Sequence, residues 1–210
     1  MILAAVIVLA AGYLLGAIPF AVLIAKKHGI DILKAGSGNP GATNVKRVVG
    51  KKAGNLCFIL DMLKGFVAAG WPLVAFHGVE FGGHVWAVEL GVSGLIAALL
   101  GHSFSVFIHF KGGKGVATTI GGMLALSPFV ILIGLLVWLS VFFSSRYVSL
   151  ASLCMAASLP IASYFLGAWP YGEGRVIFWI TLVLALLLFV RHRGNIARLM
   201  NGTESRFTKK

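Results

Sequence analysis

The sequence predicts an all-α integral membrane protein with seven transmembrane helices, and three observations carry that expectation. Apolar residues make up 59% of the chain and charged ones only 11%, with a mean hydropathy of +0.95; that is more apolar surface than one soluble core could hide. The apolar residues come in runs of about 20, the length that crosses a bilayer as a helix. The cations that give a formal net charge of +12 fall between these runs, which points to anionic lipid and an anionic substrate as partners and away from nucleic acid.

The first run, Ile2 to Ala25, starts without a basic segment and passes Gly16 and Pro19 without a small-x-small cleavage site, so it reads as a retained span. The second is Ala53 to Phe76 and the third Val85 to Phe110. The stretch from Lys114 to Arg146 is too long for one span. Leu126-Ser127-Pro128 offers the break, because proline disfavours helix in the residue before it, and leaves a short fourth span and a full fifth. Tyr147 to Leu166 and Val176 to Val190 complete the set. Cys57 and Cys154 lie inside apolar runs and read as core residues, not as a disulfide or a metal pair. With no internal repeat or low-complexity tract, residues 1–210 read as a single transmembrane domain.

Seven spans put the termini on opposite sides. Lys26, Lys27, Lys34, Lys46, Arg47, Lys51 and Lys52 then share a side with Lys111 and Lys114, with Arg146, and with the tail residues Arg191, Arg193, Arg198, Arg206, Lys209 and Lys210. Of the 18 cations, 16 are on that side, Lys64 is within a span, and Arg175 alone is opposite. Positively charged connections stay in the cytoplasm, so the C-terminus is expected there and the N-terminus outside. Glu80, Glu173 and Trp169 fall in outer turns.

Three polar segments on the cytoplasmic side carry chemistry. "GSGNPGATNVKR", Gly36 to Arg47, joins the first two spans. Gly36, Gly38 and Gly41 allow backbone N–H groups to converge on an anion, and Ser37, Asn39, Thr43 and Asn44 add donors, with Arg47 supplying a fork suited to phosphate. The alternative is a flexible polar loop. "FKGGKGVATT", Phe110 to Thr119, offers Gly112, Gly113 and the mobile charges of Lys111 and Lys114. It is not a Walker A loop, since Gly115 follows Lys114; the alternative is a basic turn anchored on lipid headgroups. In "RHRGNIARLMNGTE", Arg191 to Glu204, His192 and Asn195 are three apart and share a face if the helix continues. Arg191, Arg193 and Arg198 fit an anchoring role, which suits Asn195 and Glu204 less well.

Inside the second span, Asp61 and Lys64 are three apart, which favours mutual neutralisation over an intramembrane functional pair. His102 suits either packing or support of a site, and His28, His77, His84 and His109 suit interfacial positions. No Gly-x-Ser-x-Gly elbow, His-Glu-x-x-His or His-x4-Asp is present; His84 and Glu89 come nearest to the last, on the outer side. The residues call for no cofactor and no metal, and specify no oligomeric state. A site of this kind binds anions rather than deprotonating strongly, and suits an already activated substrate.

Together, GSGNPGATN, KGGKGVAT and RHxxNIxRLxxGTE, in this order and over nearly the whole chain, resemble the PlsY family of bacterial membrane glycerol-3-phosphate acyltransferases. The resemblance implies a single acyltransferase domain in the bacterial cytoplasmic (inner) membrane, with its active site facing the cytoplasm. It implies acyl transfer from acyl phosphate to the 1-hydroxyl of sn-glycerol 3-phosphate, giving lysophosphatidic acid and inorganic phosphate. By the same resemblance Gly38, Asn39, Gly41, Thr43 and Asn44 hold the donor phosphate, and Ser37, Arg47, Lys114, His192 and Asn195 hold the acceptor. Lys111, Gly112, Gly113 and Glu204 support the site. Three other classes remain: a phosphate-ester channel or carrier, disfavoured by the one-sided ligands; an acyltransferase using acyl-CoA or acyl carrier protein; and a structural lipid-binding protein, which leaves the glycine loops without a purpose.

Overall fold

The computed structural model describes residues 1–166 and 174–207; Trp169 and Glu173, and the tail cations Lys209 and Lys210, lie outside them. Among the described residues ten α-helices form two compact units, Met1–Leu126 and Ser127–Lys210. Helix is what the apolar runs require, since a backbone in hydrocarbon must satisfy its own N–H and C=O groups.

The first unit opens with α1 (Ile2–Ala17) and α2 (Phe20–Lys27). Between them Ile18 is extended, with φ −57° and ψ 116°, because Pro19 follows it. A polar loop leads to the short α3 (Ala42–Val48) and then to α4 (Lys51–Ala75). A small hairpin pairs β1 (Glu80–Phe81) with β2 (His84–Val85) ahead of α5 (Ala87–Ser103), and a second polar loop precedes α6 (Val116–Leu126).

Small residues let these helices approach closely, as is common in membranes, where apolar side chains gain nothing by leaving lipid. A Cβ on Gly16 would collide with the Ala98 carbonyl, joining α1 to α5, and one on Gly94 with the Ala68 carbonyl, joining α5 to α4. Gly65 meets the Thr118 carbonyl and Gly121 the Met62 carbonyl, which seats α6 against α4. Ala21, Ala25, Ile32, Val45 and Cys57 are buried together beneath the first polar loop.

The second unit comprises α7 (Pro128–Ser145), α8 (Val148–Leu166), α9 (Gly174–Arg191) and α10 (Arg193–Met200). The expected break stands between α6 and α7: Ser127 is extended and Pro128 opens α7, where its missing N–H costs no hydrogen bond. Leu136, Phe143, Ile161, Trp179 and Leu186 face outward, an arrangement suited to lipid.

Among the described residues six helical segments are long and apolar enough to cross a membrane. They begin with Ile2–Lys27, taken through its Pro19 kink. The short fourth span expected from the sequence corresponds to α6, whose 11 residues rise about 16 Å, roughly half of a hydrocarbon core.

Candidate functional site

The first unit brings the two glycine loops together. Ser37, Gly38, Asn39 and Pro40 of the first loop and Lys111 and Gly112 of the second line a cleft of about 480 Å³, with Asp31, Leu33 and Lys34 completing its wall. That volume is in the range of small-molecule sites. Lys34 and Lys111 are exposed and give the cleft its positive charge, partly offset by Asp31 at 3.6 Å from Lys34.

The first loop turns at Gly36 and Gly38, whose φ values of 60° and 68° fall where side chains are strained. Asn44 holds it there. Buried to 1% exposure, its Oδ1 accepts the Ser37 N–H at 3.0 Å, and its Nδ2 donates to the carbonyls of Ala35 at 2.9 Å and Ile32 at 3.4 Å. Both amide hydrogens are thus committed to the loop, so Asn44 braces it and has none left for a phosphate. The N–H groups of Gly38 and Gly41 likewise bond to Ala35 and Asn39 carbonyls. Together with the Ser37 N–H, they are satisfied inside the loop. The Ser37 side chain and Asn39 line the cleft, Thr43 is half-buried on α3, and Arg47 stands exposed on the same helix.

The second loop is laid over α1 and α5. Ser105 Oγ donates to the Ala17 carbonyl at 2.6 Å, and Tyr13 donates its hydroxyl hydrogen to the Phe104 carbonyl at 2.9 Å. His109 and Phe110 then take left-handed backbone conformations, φ 53° and 58°, costly for residues with a Cβ. The Phe110 N–H bonds to the Ser105 carbonyl and the Gly113 N–H to the His102 carbonyl. Lys111 lines the cleft, whereas Lys114 is half-buried and outside its lining.

Beneath both loops lies a buried polar cluster. Lys64 Nζ is 2.8 Å from Asp61 Oδ1 and donates to the Ile18 carbonyl at 3.1 Å. His102 Nδ1 lies 3.6 Å from the same Asp61 oxygen. The expected neutralisation of Asp61 by Lys64 is therefore present, and His102 takes the supporting place. Spacing placed Asp61 and Lys64 on one helix face; the contact with His102, 41 residues along from Asp61, had no local signal.

The second unit holds the third segment. The helix does not continue through it: α9 ends at Arg191 and His192 caps α10. His192 and Asn195 are both buried, at 3% and 6% exposure, and remain linked through the Asn195 N–H to the His192 carbonyl. His192 Nδ1 is 2.8 Å from the Leu188 carbonyl, which fixes the ring. Glu204 is the hub of this unit's tail. Its Oε1 accepts from Asn195 Nδ2 at 2.6 Å and Ser149 Oγ at 2.7 Å, and its Oε2 from Arg198 Nε at 2.7 Å. Burial works to raise the Glu204 pKa, but these donors and the Arg198 charge outweigh it and hold the carboxyl below its ordinary range. Ser149 gave no sign of this role in the sequence, lying in an apolar run 55 residues away.

Residues 6–202 match the family model for glycerol-3-phosphate acyltransferase. The chain is 46% identical to the glycerol-3-phosphate acyltransferase of Aquifex aeolicus (strain VF5), over 93% of its own length and 95% of the relative's. It is 44% identical to that of Sinorhizobium medicae (strain WSM419), over 95% and 90%. Among solved structures it is similar to PlsY, an integral membrane glycerol 3-phosphate acyltransferase, at 45% identity. The glycerol 3-phosphate form gives a TM-score of 0.82 over 97% of this chain and 96% of that one. The lysophosphatidic acid form gives 0.79 over 97% and 95%.

Proposed function

The chain belongs to the glycerol-3-phosphate acyltransferase family of integral membrane enzymes, and on that premise we propose that its acyl donor is an acyl phosphate. Family membership makes it an acyltransferase acting on glycerol 3-phosphate. The chemistry of the site supports that donor: the cleft gathers cationic and hydroxyl groups around a volume fit for a phosphate ester. Among the described residues that line it there is no histidine, and the one carboxylate, Asp31, stands 3.6 Å from Lys34, which suits a carbonyl already activated by a phosphate leaving group.

The 1-hydroxyl oxygen of glycerol 3-phosphate bonds to the acyl carbon, the bond from that carbon to the phosphate oxygen breaks, and inorganic phosphate leaves; the hydroxyl proton departs with the products. Ser37, which the resemblance gives to the acceptor, lines the cleft with Asn39 and Lys111 and is reassigned here with them to the donor phosphate, while Gly38, Gly41 and Asn44 shape the loop around it. Arg47, Lys114, His192 and Asn195 are assigned to the acceptor, as the resemblance implies. On this reading α6 is a short additional crossing beside the six long ones, the N-terminus is outside, and the loops face the cytoplasm of a bacterial cell from its cytoplasmic membrane. The distribution of cations supports that orientation. Residues 1–210 then act as a single acyltransferase domain.

The observation that carries this reading is the joint lining of one cationic cleft by both glycine loops. Phosphate release by the purified, detergent-solubilised protein tests it, with palmitoyl phosphate or palmitoyl-CoA as donor. Release that depends on glycerol 3-phosphate and yields lysophosphatidic acid from palmitoyl phosphate alone is expected. Product from palmitoyl-CoA alone would overturn the donor assignment.

A further inference from the structure

The cluster of Asp61, Lys64 and His102 takes no part in the chemistry above, yet it is deeply buried in the first unit. Asp61 and Lys64 are 2% and 3% exposed and His102 8%. Placing two charges here without water is costly, so a purely apolar filling would serve packing better. Its location is specific. Ile18, Pro40, Asp61, Lys64, His102 and Gly113 border a cavity of about 10 Å³, which makes the cluster a joint between the first loop, the second loop and the α1–α2 break.

The imidazole is the element in contact with the second loop. On one side its Nδ1 faces Asp61. On the other, the ring lies so close to the loop that a Cβ on Gly113 would collide with Nε2, and the Pro40 carbonyl stands 3.1 Å from the same point. Gly112 is as tightly set against the His102 carbonyl, which also receives the Gly113 N–H. Lys64 fixes Asp61, Asp61 fixes the ring, and the ring sets the height of the backbone one residue before Lys114.

We infer that His102, braced by the Asp61–Lys64 pair, is a positioning residue for acyl transfer, setting the second glycine loop so that Lys114 meets the phosphate of glycerol 3-phosphate. This rests on the assignment of Lys114 to the acceptor. His102 does not line the cleft, so its effect is confined to the group it positions.

The test is steady-state kinetics on detergent-solubilised full-length protein with palmitoyl phosphate and glycerol 3-phosphate, alongside thermal unfolding. His102→Ala is expected to raise the acceptor KM about tenfold or more, with kcat and the donor KM moving less than about threefold. In His102→Ala/Lys114→Ala the acceptor KM should be no higher than in Lys114→Ala alone, because two residues acting as one unit are not additive. If His102→Ala does not fold, Gly113→Ala probes the same contact from the loop side and should give the same selective rise. Multiplicative effects in the double variant, or equal rises in both KM values, would overturn the inference while leaving the function of Lys114 standing. An unchanged acceptor KM in Lys114→Ala would overturn that assignment and the inference with it.

Discussion

Asn44 fixes the first glycine loop through hydrogen bonds to residues seven to twelve positions away, whereas the second loop takes its shape from helices far along the chain. The Ser105 hydroxyl reaches the carbonyl of Ala17, 88 residues distant, and Tyr13 reaches Phe104 across 91. The first loop is thus a local motif that any chain with the right dozen residues would approach. The second exists only once α1, α4 and α5 have packed. Its left-handed His109 and Phe110 are the mark of that imposed geometry.

Removing the supports one at a time sharpens this contrast. The largest loss is expected from Asp61→Ala, which strands Lys64 without its partner in the interior; breaking such a buried pair costs about 3 to 5 kcal/mol. Thermal unfolding should show a large drop, with activity lost. A small change would mean that the second loop does not depend on distant packing. Asn44→Ala leaves the loop's carbonyls and the Ser37 N–H to find water, a loss of about 1 to 3 kcal/mol. Its effect should fall on the donor KM, since the loop it braces lines the cleft.

Glycine replacements make the same comparison at smaller scale. Gly38→Ala adds a Cβ at a positive φ with the Leu33 carbonyl 3.0 Å away, and backbone strain there costs about 1 kcal/mol. Gly112→Ala runs into the backbone of His102 and Ser103, which cannot rotate aside. It should therefore lower activity more than Gly38→Ala does, and the reverse order in a rate assay would contradict the relative rigidity assigned to the two loops.

The smallest effect expected is in the second unit. The Glu204 pKa lies below its unfolded value, so the stability it contributes is present above the unfolded carboxyl pKa and is lost as pH falls through the folded one. Thermal unfolding of the wild type should therefore lose ground between about pH 5 and pH 3 relative to Glu204→Gln, given an unfolded glutamate pKa of about 4.3. Parallel curves for the two proteins would remove Glu204 as the hub of the tail.

Much of the fold was legible because lipid leaves few choices. Pro128 marked the α6–α7 break and Arg146 the end of α7. The shared side of the cations grouped the two glycine loops, and the fold brings those loops to one cleft. The site was legible only as residue types. Asn44 carries the donors that a phosphate ligand would need, but the sequence does not say that they are spent on Ala35 and Ile32. Spacing could not tell Lys111, which lines the cleft, from Lys114, which does not. Nor did it show that the helix breaks at His192, since a turn there keeps the same residues three apart. Periodicity reports which face a residue occupies; the hydrogen bond that its donor finds is set by residues dozens of positions away, as His102 and Asp61 demonstrate.

If the two glycine loops serve one phosphate group, a double-mutant cycle between them should reveal it most directly. Ser37 and Lys111 line the same cleft from opposite loops, and kcat/KM for palmitoyl phosphate would be measured for Ser37→Ala, Lys111→Ala and the pair. Groups that share a ligand should be coupled by about 0.5 to 3 kcal/mol. Losses that simply add, within about 0.5 kcal/mol, would show that the loops act on separate groups and would contradict the shared phosphate site.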